Sequence, residues 1–130
     1  MPQASGTFDV ALAPLPVENV TDEAMMQRRS IDKTFHGALD GRSKGQMLSI
    51  GTTTAGSAAY VAVERVEATL DGKAGTFSLH HTGVMNRGAP SLTITVVPDS
   101  GTGDLAGISG TMTIDIRDKK HYYTFDYDMP

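Results

Sequence analysis

Three side chains carry the chemistry to weigh first: Lys33, Glu64 and His81. His81 follows Phe77 and Leu79 at two-residue spacing, so on a strand it shares their face. An imidazole among apolar neighbours favours its neutral form, a base able to take a proton from carbon or oxygen. The plainer reading is a buried histidine bonded to a tyrosine or to backbone. Glu64 stands in step with Tyr60 and Val66. Desolvation there would raise its pKa unless Lys33 or an arginine compensates, and a carboxylate in an apolar interior wants a reason. The plainer reading is a rim salt bridge or, with a bulge in the strand, solvent exposure. Lys33 lies between Ile31 and Phe35 on the presumed inner face. There it could form a Schiff base or hold a substrate carboxylate, whereas a lysine at a barrel end reaches into water. Tyr60, Tyr123, Tyr127 and His121 could add donors, although aromatics in a small barrel usually serve as core.

Other combinations carry less. His80 and His81 are adjacent, so a strand points them to opposite faces and they cannot both bind one ion directly. No metal and no cofactor is expected. The run from Ser100 to Gly103 offers backbone amides, but no helix follows and the phosphate-loop Lys-Ser/Thr is missing; it reads as a hairpin turn. Arg28 and Arg29 splay to opposite faces and read as a solvated strand.

The elements that must position these residues follow from alternation. From Met112 through Ile116, and again from His121 through Tyr127, large apolar or aromatic residues recur at every second position. That period suits a strand with one buried and one wet face. Eight strands are predicted, at about 5–12, 25–36, 41–51, 58–70, 73–83, 91–98, 105–117 and 120–128. Asp40-Gly41 and Asp71-Gly72 supply tight turns, because glycine accepts the positive φ that hairpin turns demand. Consecutive hairpins make a meander, and eight such strands close into an up-and-down barrel able to hold one small ligand. The fold class is all-β, an eight-stranded and mainly antiparallel barrel, with residues 1–130 as one domain. The Pro-rich connection from Pro14 to Asp22 is too long for a hairpin and could lie over one barrel mouth.

The inward faces are predicted to carry Phe8, Val10 and Leu12; Ile31, Lys33 and Phe35; Phe77, Leu79 and His81; Leu92, Ile94 and Val96; Met112, Ile114 and Ile116; and His121, Tyr123, Phe125 and Tyr127. The segment 58–70 breaks the rule, since Val61 and Val63 sit opposite the face of Tyr60, Ala62 and Glu64. Either a bulge switches faces or another subunit covers the two valines; we favour the second. A homo-oligomer is therefore expected, a dimer before a trimer.

Composition narrows the function classes. The 130 residues include no cysteine, which removes disulfides and thiolate metal sites and fits a reducing compartment. The net charge of -4 with scattered basic residues opposes a general nucleic-acid role. No stretch approaches the roughly 18 apolar residues of a membrane span, and the first residues lack the basic and apolar regions of a secretory signal. A cytoplasmic location without membrane or nucleic-acid partners is expected.

The segments Lys33–Gly37, Gly56–Arg65, Gly72–Gly83, Ser100–Met112 and His121–Tyr127 together resemble a family of short bacterial proteins of unassigned function, whose fold is similar to the allene oxide cyclase barrel. The resemblance spans roughly residues 5–129, most specifically from Gly101 to Met112. It implies a small antiparallel barrel, often oligomeric, and it transfers no catalytic residue.

Three functions fit. The leading one is binding of a small, largely apolar molecule in the interior, against Lys33, Tyr60, Phe77, Leu79, Ile114, His121, Tyr123 and Phe125. The alternative is an isomerase, cyclase or lyase in which His81 or Glu64 moves a proton. The third is a filled barrel with only a structural or interaction role.

Overall fold

The computed structural model describes residues 2–130. Among them, nine strands form one antiparallel sheet: β1 (Gln3–Leu15), β2 (Met26–Gly37), β3 (Leu39–Gly51), β4 (Ala58–Leu70), β5 (Lys73–Asn86), β6 (Ala89–Val96), β7 (Thr102–Gly103), β8 (Ser109–Arg117) and β9 (Lys120–Asp128). The pairing order runs β4-β3-β2-β1-β9-β8-β6-β5, and β4 also pairs with β5. Eight strands thus close into a barrel, and the short β7 adds to the side of β5. Among the described residues no helix is long and apolar enough to cross a membrane.

Hairpin chemistry explains the meander. The β4–β5 turn places Asp71 at φ 48° and Gly72 at 85°, and the β8–β9 turn places Asp118 at 51° and Lys119 at 65°. Two successive left-handed residues match the twist of the flanking strands. Register is continuous from Ala58 to Leu70 against both β3 and β5, so no bulge reverses the faces of β4. Glu64 faces inward, while Val61 and Val63 are 52% and 60% exposed on the outer surface.

The two ends of the barrel differ. At the end holding the β4–β5 turn, Phe35, Leu39, Leu70, Phe77 and Phe125 are sealed from solvent. The Phe77 and Phe125 rings stack 5.6 Å apart, and Phe35 meets Tyr123 edge-on at 5.6 Å. This end is also plugged from the chain. Residues 104–107 form a turn rather than the start of a strand, and strand β8 begins only at Ser109. Leu105 and Ile108 drop into the core from that segment, with Leu105 N–H donating to Thr102 and Ile108 N–H to Leu105. The predicted strand over 105–117 and simple turn at Ser100–Gly103 are corrected accordingly, because a strand could not bury two side chains three residues apart on one face.

The opposite end is open. Leu12, Leu92 and Ile116 lie in step with inward residues yet are 49%, 43% and 62% exposed. Leu12, Leu92 and Ile116 thus keep the face expected of them but are left uncovered, because their strands run on past the level at which the barrel is filled. The connection between β1 and β2 leaves Leu12, Leu92 and Ile116 exposed. Its Val20 and Met25 are themselves exposed, and it is tied down where Arg28 donates to the Pro16 carbonyl at 3.1 Å.

Candidate functional site

The boundary between the filled and open halves is a charged cluster. Lys33 on β2, Ser43 on β3, Glu64 on β4 and His81 on β5 all point inward and are buried. Register brings them together. Ser43 faces Lys33 on one side and Val66 on the other, while Glu64 faces Gly45 and Leu79. Ser43 and His81 are thus diagonal neighbours of Glu64, at the spacing where longer side chains meet. Lys33, paired with Ser43, must reach across β3, where Gly45 stands directly opposite Glu64.

The carboxylate accepts three hydrogen bonds. Lys33 Nζ donates to Glu64 Oε2 at 2.8 Å, His81 Nε2 reaches the same oxygen at 2.6 Å, and Ser43 Oγ donates to Oε1 at 2.8 Å. Burial alone would raise the Glu64 pKa. The hydrogen bond from His81 and the charge of Lys33 outweigh it and bring the pKa down to about 2. Compensation by Lys33, the expected exception to a raised pKa, is the case found, with the His81 hydrogen bond as the larger single contribution. Because ionised Glu64 only accepts, His81 Nε2 carries the hydrogen. Lys33 Nζ also lies 5.0 Å from the Phe8 ring centre and 5.8 Å from that of Phe35, inside the range of cation–π attraction.

Above His81 toward the open end stands Tyr60, its ring centre 6.5 Å from the imidazole. Tyr60 lies opposite Gly83 and its ring covers that glycine, where an added Cβ would fall 2.1 Å from Cε1. Burial and then the charge of Glu64 raise its phenol pKa, so the hydroxyl stays protonated. Beside it, a cleft of about 280 Å³ opens between Tyr60, Gly83, Met85, Pro90 and Leu92. A larger groove of about 400 Å³ runs instead on the outer face, along Leu48, Val61, Val63 and His80.

The other candidate residues fall elsewhere. Phe77, Leu79, Tyr123 and Phe125 belong to the sealed core. The Tyr123 hydroxyl accepts from Leu39 N–H at 2.9 Å and donates toward the carbonyls of His36 and Leu39, each at 3.0 Å. Tyr127 donates to the Asp71 carboxylate, which together with burial pushes its pKa up to about 12. Ile114 is half-buried near the mouth. His121 packs on Phe8 at 5.1 Å and, among the described residues, makes no hydrogen bond to Lys33, Glu64 or His81. Among the described residues no three histidines or carboxylates gather to hold a metal ion. Ser43 is the member that sequence reasoning missed. Its signal is the small inward series Gly41, Ser43 and Gly45, which makes room for a large polar side chain on the next strand.

Residues 4–127 match a protein family described as "Protein of unknown function (DUF3224)". The fold is shared with the crystal structure of a protein of unknown function from the DUF3224 family of Shewanella oneidensis MR-1. That protein is 42% identical with a TM-score of 0.96, over 100% of this chain and 98% of the other. No curated protein matches the chain.

Proposed function

The chain belongs to the DUF3224 family, of unknown function, and from that premise we propose that its barrel binds a small, largely apolar molecule at the open end. One observation carries this reading: inward-facing apolar side chains at one end only, Leu12, Leu92 and Ile116 among them, stay exposed above a buried polar floor. Apolar walls with a few convergent polar groups are the usual build of a ligand site. The resemblance to the allene oxide cyclase barrel expected from the sequence lends the reading no residue.

The test uses N-phenyl-1-naphthylamine, whose fluorescence rises in apolar surroundings. The wild-type protein is expected to enhance it, Leu92→Arg to abolish the enhancement, and Val63→Glu on the outer face to leave it unchanged. Failure of the wild type to enhance the dye, or equal enhancement by Leu92→Arg, sinks the proposal.

A second reading, proton transfer by an isomerase, cyclase or lyase, is favoured by the 2.6 Å contact that fixes His81 on Glu64. A carboxylate holding one imidazole nitrogen orients the other toward a reacting group. Epoxides, enols and activated carbon acids are the compounds to screen. General base catalysis is worth 10²–10⁴-fold, so His81→Ala should raise the barrier by roughly 3–5 kcal/mol. If no compound is turned over faster by wild type than by His81→Ala, this reading falls and binding stands alone.

A further inference from the structure

We infer that the molecule bound at the open end presents a weakly acidic donor, a phenol-type or enol-type hydroxyl on an apolar body, to Nδ1 of His81. The inference rests on the binding reading and adds the chemical class of the ligand. It follows from an inventory of the polar atoms on the floor of the open half.

Three of the donors on this face are engaged by Glu64, while Tyr60 beside His81 and His121 on Phe8 are not. Lys33 Nζ, Ser43 Oγ and His81 Nε2 all point at its carboxylate. The charges of Lys33 and Glu64 balance, so a neutral imidazole keeps the buried cluster free of net charge. With Nε2 carrying the hydrogen, Nδ1 is a bare lone pair and accepts. Nδ1 makes no hydrogen bond among the described residues, yet it is not one of the sealed, unpartnered polar atoms, of which there are none among them. It therefore keeps solvent contact, although His81 as a whole is only 5% exposed. The core beneath the ring, Leu79 and Phe77, is closed, and toward the mouth the nearest aromatic is Tyr60, its ring centre 6.5 Å away.

The neighbouring donor is the Tyr60 hydroxyl, protonated and without a protein partner among the described residues. A single ligand hydroxyl can donate to Nδ1 and accept from Tyr60. A ligand carboxylate fits less well, because it can only accept and the buried cation is already balanced. The remaining cation on this face is Arg29, which stands nearer the rim and is turned to the Gln27 side chain.

The experiment compares 2-naphthol, 2-methoxynaphthalene and 2-naphthoate by calorimetric titration. On the wild type, the naphthol is expected to bind about 10-fold more tightly than the ether, the worth of one added hydrogen bond in a dry site. The naphthoate is expected to be weaker than the naphthol. In His81→Phe the naphthol-to-ether ratio should fall to near one. In ¹⁵N spectra of histidine-labelled wild type, the Nδ1 signal should move with naphthol and not with ether. If His81→Phe does not fold, the wild-type ratio and this signal decide. Equal binding of naphthol and ether, or tightest binding of naphthoate, overturns the donor inference while leaving the binding site intact. Failure of all three compounds to bind overturns the binding reading itself.

Discussion

Glu64 is 2% exposed, and an ionised carboxylate removed from water that far would ordinarily recover its proton. It stays charged because Lys33, His81 and Ser43 all donate to it, which makes the cluster sensitive to the loss of one partner. Glu64→Gln leaves the Lys33 ammonium buried without a counter-charge and should destabilise the fold by about 3–5 kcal/mol in urea denaturation. Ser43→Ala removes a single hydrogen bond to a charged group and should cost about 1.5–3 kcal/mol. Equal losses from both would mean that charge compensation is not what holds the cluster. The same group sets an acid response. Its pKa falls from 4.5 in the open chain to about 2 in the fold, so its contribution is complete above 4.5 and is lost as the pH drops toward 2. Wild type should lose stability across that window more steeply than Glu64→Gln, and parallel curves would refute the assignment. The inward direction of Lys33, Glu64 and His81 was legible from alternation. Their convergence was not, because it depends on the register of three strand pairs.

Strand β3 shows how an element whose inward residues are small over its middle, Gly41, Ser43 and Gly45, can still build a site. Gly45 lies directly opposite Glu64, and a Cβ there would fall 2.0 Å from the Val63 carbonyl oxygen and 2.8 Å from the Glu64 Cβ. The nearest atoms are β4 backbone and the Glu64 Cβ, none of them the flexible end of a side chain. Gly45→Ala should therefore cost about 1–3 kcal/mol and shift the His81 resonances, whereas Gly72→Ala, whose added carbon meets no atom within 4 Å, should leave those resonances in place. Matching His81 shifts in both variants would remove the positioning role given to Gly45. Elsewhere the hairpins were readable from turn residues and alternation, down to the limits of β4 and β9, except that the turn expected at Asp40-Gly41 falls at Ala38 and both residues are paired within β3. The plug was hidden for a definite reason: Leu105 and Ile108 look like strand residues until the turn between them is seen to hold both against the core.

At the scale of the whole molecule, alternation reveals which way a side chain points but not whether anything covers it, and that gap accounts for both uncovered apolar regions. One is the open mouth. The other is on the outer wall, where register lines up Ile50 with Ala59 and Val84, Leu48 with Val61, and Val63 with His80 across β3, β4 and β5. Five of these side chains, Leu48, Ile50, Val61, Val63 and Val84, are exposed and large. A closed barrel offers its neighbours no long free strand edge, so an associating copy must pack face to face, and this is the wall with apolar surface to lose. The two-fold pairing of one such wall with itself is the simplest closed assembly. Sedimentation at high concentration is expected to give a dimer for the wild type and a monomer for Val63→Glu, with the circular dichroism of the two unchanged. Leu92→Arg, at the mouth, should still dimerise. A wild type that remains monomeric, or a dimer indifferent to Val63→Glu and broken by Leu92→Arg, would take the interface away from the outer wall.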